Sequence, residues 1–215
     1  MQKALAKTGA YFASLLKIGR SDPIGIFIFL IVSTSLSAIG DRSEIARFSA
    51  AMSGVVTVIA QYALNVRALG RLGLLQSGKP QRGIIALVVQ DIVTTVGTFA
   101  GFLLIVPGIV LGVRWSIAVP LMLSEDAGII GAIGKSWHDT KQDFWPILCL
   151  LAIIYLPIWM VALVYTAINV AGHLGWTEAI VLNLLINIFV VAGWYGSIAI
   201  YRTLHDGPTL TEVFA

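Results

Sequence analysis

The stretch Ile84–Ser124, IIALVVQDIVTTVGTFAGFLLIVPGIVLGVRWSIAVPLMLS, decides the fold. Its charged residues are Asp91 and Arg114 alone. A helix needs about 20 apolar residues to cross roughly 30 Å of hydrocarbon. This run is about twice as long, so it holds two spans. Val106-Pro107-Gly108 divides them, because Pro and Gly together mark a turn. The expected spans are 84–105 and 108–124.

Outward from this hairpin the same pattern recurs. Earlier in the chain, spans are expected over about 24–40, opened by Pro23 at a first-turn position, and over about 48–69. Later ones are expected over about 146–170, with a kink at Pro157, and over about 179–201. Residues 1–22 form a longer and more basic lead than a signal peptide carries, so the first span is read as retained. The whole chain is 58% hydrophobic and 12% charged, against roughly 25% charged in soluble domains. So much apolar surface aggregates in water and is solvated in a bilayer.

Lysine and arginine set the orientation. With the N-terminus inside, Lys3, Lys7, Lys17, Arg20, Arg67, Arg71, Lys79, Arg82, Lys135, Lys141 and Arg202 all fall on the cytoplasmic side. Arg42 and Arg47 fall outside. That bias supports an even number of spans, with both termini expected in the cytoplasm. The expected fold class is all-α: a polytopic transmembrane helical bundle of six spans, plus two cytoplasmic amphipathic interfacial helices, forming one membrane domain over 1–215.

The first amphipathic helix is 1–22. Leu5, Tyr11, Phe12, Leu15, Leu16 and Ile18 share one half of its wheel, and Lys3, Lys7, Lys17 and Arg20 the other. The second is 127–144, where Ile129, Ile130, Ile133, Trp137 and Phe144 oppose Lys135, His138, Asp139 and Gln142. Such helices either pack on the cytoplasmic ends of the bundle or lie against anionic lipid. Each leads into an acidic or aromatic residue followed by Pro-Ile, at Asp22-Pro23-Ile24 and Trp145-Pro146-Ile147, a faint internal echo.

Charge inside a membrane needs a reason, since it costs roughly 2.5–3.5 kcal/mol at the centre. Counted along two antiparallel helices, Asp91 and Arg114 fall at similar depth, and an ion pair across the hairpin is expected. It either fixes register or serves as a gate or substrate counter-ion. Two polar stripes accompany it: Ser53, Thr57, Gln61 and Asn65 at i+4 spacing, and Thr94, Thr95 and Thr98 continuing from Asp91. They act either as interhelical glue or as the lining of a wet path. Gly97-x-x-x-Gly101 and Gly108-x-x-x-Gly112 are small faces that let backbones approach, and each is expected to meet the other. Asn169, Asn183 and Asn187 are expected to join the last two spans.

Catalytic patterns are absent from the sequence. His138, His173 and His205 lie in separate loops or ends, and neither metal-ligand spacing nor a phosphate-binding glycine loop occurs. Glu125-Asp126 reads as the solvated end of a span. Cys149 stands alone. Neither metal nor cofactor is expected, and the charge pattern lacks the basic platform of a nucleic-acid binder.

Pro107-Gly108, Arg114, Pro120, Glu125, Ser136-Trp137 and Phe144-Trp145 together give the chain a family look. From Gly101 to Trp145 it resembles the membrane domain attached to some bacterial glycerophosphoryl diester phosphodiesterases, and the stand-alone YciC-like inner-membrane proteins. The resemblance implies a bacterial inner membrane and an association with lipid metabolism. It carries over no catalytic residue, because that enzyme domain has no counterpart here. The expected function is a non-enzymatic scaffold or partner in envelope or lipid homeostasis, with membrane lipids as partners and a second membrane protein or a homo-oligomer open. A small transporter or channel using spans two to four is the alternative.

Overall fold

The computed structural model describes residues 2–42, 46–76, 78–170, 172 and 174–205. They form helices without a strand among them: α1 (Gln2–Ser21), α2 (Pro23–Arg42), α3 (Ala46–Arg71), α4 (Ile84–Phe102), α5 (Val106–Arg114), α6 (Ala118–Ser124), α7 (Gly128–Asp139), α8 (Phe144–Val170) and α9 (Trp176–His205). Five segments are long and apolar enough to cross a membrane: Pro23–Asp41, Ile84–Phe102, Val106–Ser124, Phe144–Val170 and Trp176–His205. They support a membrane-embedded chain. α3 is long enough, but its polar stripe and Arg67 and Arg71 lower its apolarity.

α2, α3, α8 and α9 make the central bundle, with α2 packed on both α3 and α9, and α8 on α9. Pairings fix their relative direction. Phe29 meets Trp194 at 5.2 Å between ring centroids, and Asp41, later in α2, bonds Asn183, earlier in α9, so α2 and α9 run antiparallel. One end of the bundle gathers Arg67, Arg71, Asp143 and His205; it is termed the basic end here. α1 lies across it, from Pro146 at the start of α8 to Arg71 at the close of α3.

The main core sits toward this end. Tyr11, Leu69, Ile117, Leu121, Ile147, Leu150 and Ile198 are enclosed there. α6 is buried on nearly every side, with Ala118, Pro120, Leu121, Met122, Leu123 and Ser124 all inside. It was expected to form half of a lipid-facing span.

Three further expectations change. The hairpin turn is Leu103-Leu104-Ile105, one step before the proline. Pro107 sits in the first turn of α5, where its missing N–H costs nothing. Ile105 has φ 55° and ψ −66°, and the Val106 N–H donates to Leu104 O at 2.6 Å, the geometry of a strained γ-turn. Next, Val106–Ser124 is two helices rather than one, broken at Trp115–Ile117. Hydroxyls from other helices satisfy the freed carbonyls: Ser136 donates to Arg114 O, and Ser197 donates to Ser116 O. Finally, the apolar half of the α1 wheel divides. Tyr11, Leu15 and Ile18 are buried, whereas Leu5, Phe12 and Leu16 are exposed. In α7 the buried residues are Ala132 and Ser136, and Ile130 points outward with 86% exposure.

Candidate functional site

The polar chemistry concentrates at the basic end in three clusters. In the first, Asp143 precedes α8 and receives two groups from α1. Lys7 Nζ lies 2.6 and 2.8 Å from its carboxylate oxygens, and the Tyr11 hydroxyl donates to Oδ2 at 3.1 Å. Burial, and then the Asp143 charge, hold the Tyr11 phenol above its ordinary range, because phenolate would be both poorly solvated and repelled. Thr8 adds a bond from α1 to Pro146 O at 3.2 Å.

The second cluster centres on Asp22, which is 1% exposed. Asp22 caps α2 by accepting the Gly25 N–H, as an N-cap aspartate does. The same oxygen lies 2.9 Å from Arg67 and 3.3 Å from Arg71. Arg71 also donates to Ser21 O. One carboxylate thus ties α1, α2 and α3 together. Its Oδ2 is enclosed without a hydrogen-bond partner.

The third joins α6, α7 and α9. Glu125 pairs with Lys135 and accepts the Tyr201 hydroxyl at 3.2 Å. His205 Nε2 stands 3.3 Å from Asp139 Oδ2. The expectation that Glu125-Asp126 is a solvated end holds for Asp126 alone. Asp126 keeps 76% of its side chain exposed and pairs with Arg82, whereas Glu125 keeps 15%. His138 is exposed, and His173 lies outside the described residues. Among the described residues, no group of three or more His, Cys, Asp or Glu is placed to hold a metal ion.

Deeper in the bundle, Asp91 and Arg114 are not brought together. The Asp91 carboxylate lies near the Gln61 side chain and the Tyr155 hydroxyl. The Arg114 guanidinium lies 5.6 Å from the ring centres of both Trp137 and Phe144. Phe144 opens α8 and Tyr155 lies eleven residues farther along it, a separation of about 16 Å at 1.5 Å per residue. The expected pairing assumed that α5 and α6 form one straight helix antiparallel to α4, and the break at Trp115–Ile117 removes that premise. Arg114 makes no hydrogen bond or ion pair through its guanidinium among the described residues, and its Nε and Nη1 are enclosed without partners. Stacking on two rings compensates part of that loss.

The stripes do not form one lining. Ser53 bonds Ser37 on α2 at 3.1 Å. Thr57 and Asn65 donate back to carbonyls one turn earlier, and so does Thr94. Such local bonds satisfy the side chain without a partner helix. Thr95 is exposed. Thr98 places its methyl group 4.0 Å from where a Cβ on Gly112 would stand. The glycines lie within the hairpin: a Cβ on Gly101 would stand 2.9 Å from the Gly108 backbone, and one on Gly97 would stand 2.6 Å from Trp115.

Asn183 and Asn187 bond α2 rather than α8. Asn183 Nδ2 donates to Asp41. Asn187 accepts from Ser33 and donates to Thr34. The reason is packing, since α2 covers that face of α9. Asn169 is exposed at the end of α8.

Sequence reading missed Asp22, Asp143 and Gln90. The Asp22-Pro23 pair was a helix-start signal, and Asp143 falls just before α8 in the same way. Gln90 is fully buried with both amide atoms unpartnered, and nothing in its local sequence marks it. No family model, curated protein or solved structure matches the chain.

Proposed function

We propose that this chain is a non-enzymatic, multi-span membrane scaffold. Its basic end faces the cytoplasm, and it acts in envelope or lipid homeostasis of a bacterial inner membrane. The observation that carries the reading is the use made of the charges. Lys7, Arg67, Arg71 and Lys135 each bind a carboxylate of the same chain and so close the basic end. Ionic contacts that lock α1 and α7 onto the bundle make a rigid platform. Leu5, Phe12 and Leu16 stand exposed on α1 with Lys3 and Lys17 on the other half of its wheel, the two-sided pattern of a helix lying at a lipid surface. The resemblance to lipid-associated membrane domains points the same way.

A nitroxide at Phe12→Cys, on a Cys149→Ser background in lipid vesicles, tests the reading. Its relaxation should respond to oxygen more than to a water-soluble nickel chelate. A fully aqueous response would refute the lipid contact. Lipids that co-purify in mild detergent would identify the headgroup class.

A small transporter or channel is the second reading. The grouping of Asp91, Gln61 and Tyr155 about halfway along α8, on partly exposed helix faces, is the observation that favours it.

A further inference from the structure

The α4–α5 hairpin was expected to supply two of six crossings, with its turn outside. The place where the hairpin meets the bundle argues against that. At the base of the hairpin, Ser116 O accepts from Ser197, which lies eight residues from the basic end of α9 at His205. That is about 12 Å in. The Arg114 guanidinium stacks on Phe144, the first residue of α8. From there α5 runs nine residues to Val106, about 13 Å. The far end of α9, at Trp176, is 21 residues beyond Ser197, about 32 Å. Even a perfectly upright α5 therefore stops short of the level of Trp176 at the far end of α9. The α4 leg meets the base of α5 near its own end. Gly97 abuts Trp115, and only five residues, about 8 Å, separate Gly97 from Phe102.

The chemistry of the turn agrees. From Phe99 to Leu111 no side chain is charged or carries a hydrogen-bonding group. Leu103, Leu104, Ile105 and Val106 are 66–85% exposed in succession, a patch that is unfavourable in water. In lipid, an exposed turn needs its backbone satisfied internally. The N–H groups of Leu103, Leu104, Ile105 and Val106 all bond to carbonyls within the turn, and Pro107 has none to satisfy.

We infer that α4–α5 is a re-entrant wedge. It enters and leaves the bilayer on the cytoplasmic side, and its tip is covered by lipid acyl chains. Full crossings are then α2, α3, α8 and α9. This keeps the number even and leaves the loops on either side of the hairpin where the lysines and arginines place them. The inference rests on the proposed orientation, and its test separates the two.

Leu104→Cys on the Cys149→Ser background is exposed to an impermeant maleimide in intact cells, with Thr177→Cys as the outside reference and Lys141→Cys as the inside one. Leu104→Cys should stay unlabelled while Thr177→Cys reacts; labelling of both would overturn the wedge and restore six crossings. If Lys141→Cys reacts and Thr177→Cys does not, the orientation itself is wrong. A nitroxide at the same Leu104→Cys site in vesicles should be open to oxygen and closed to the nickel chelate. Access by the chelate, or spin–spin broadening from a second copy covering the tip, would overturn acyl chains as the occupant.

Discussion

Asp22 gives the most quantitative consequence of the fold. Asp22→Asn removes the charge and keeps a good helix cap, since Asn and Asp cap about equally. Stranding the partner of a buried ion pair costs about 3–5 kcal/mol. Here the stranded groups are Arg67 and Arg71, whose side chains are 48% and 41% exposed, so water recovers about half of that loss. The expected destabilisation is about 2 kcal/mol, or about 4–8 °C of melting temperature for a chain of this size. Asp22→Ala should cost about 1 kcal/mol more, because the cap goes as well. Thermal unfolding in mild detergent, followed by reaction of the single Cys149 thiol, reads both. Combining Asp22→Asn with Arg67→Gln and Arg71→Gln should fall short of the summed single effects by at least about 0.5 kcal/mol. Strict additivity, or an unchanged melting temperature for Asp22→Asn, would refute the clasp.

Other consequences follow from the same geometry. Asp91→Asn and Arg114→Gln should be additive in stability to within about 0.5 kcal/mol, since each charge has separate neighbours; a double-mutant cycle measures it. Gly108→Ala should destabilise by about 1–3 kcal/mol, because its Cβ would stand 2.5 Å from the Phe102 ring. Gly134→Ala, with nothing within 4 Å, should be neutral or stabilising by up to about 1 kcal/mol. Ile105→Gly should raise the melting temperature by relieving a left-handed φ worth about 1 kcal/mol. The raised Tyr11 phenol should add alkaline sensitivity. Its neutral form is favoured in the folded state, so its contribution is intact below the unfolded phenol value of about 10 and is lost as pH rises above it. Tyr11→Phe should abolish that component of the pH profile.

How legible was this arrangement in the sequence? The long runs Phe144–Val170 and Trp176–His205 were legible as helices because their apolar residues far outnumber the few polar ones and Pro157. Pro23 marked the start of α2. The break at Trp115–Ile117 left no local trace: neither Gly nor Pro stands there, and it is held by hydroxyls from Ser136 on α7 and Ser197 on α9. Depth-counting then failed for Asp91 and Arg114, because it depends on unbroken helices. Partner choice failed for Asn187 for a related reason. A periodic stripe says which face is polar and not which helix covers it. The same holds for α1, whose apolar half is shared between the bundle and its surroundings. At the charged end, spacing alone could not tell Asp126, which is solvated, from Glu125, which is clamped.

In the proposed scaffold, polar residues within the bundle join helices or bond back within their own helix, and line no path for a solute. Gln61→Cys and Asp91→Cys, each on the Cys149→Ser background, test it with a charged methanethiosulfonate reagent applied separately to each face of sealed vesicles. The account predicts that neither position reacts from either face, while Thr177→Cys reacts from the outer face and Lys141→Cys from the inner one. Modification of Gln61→Cys or Asp91→Cys from both faces would show a continuous aqueous route and contradict it in favour of a transporter.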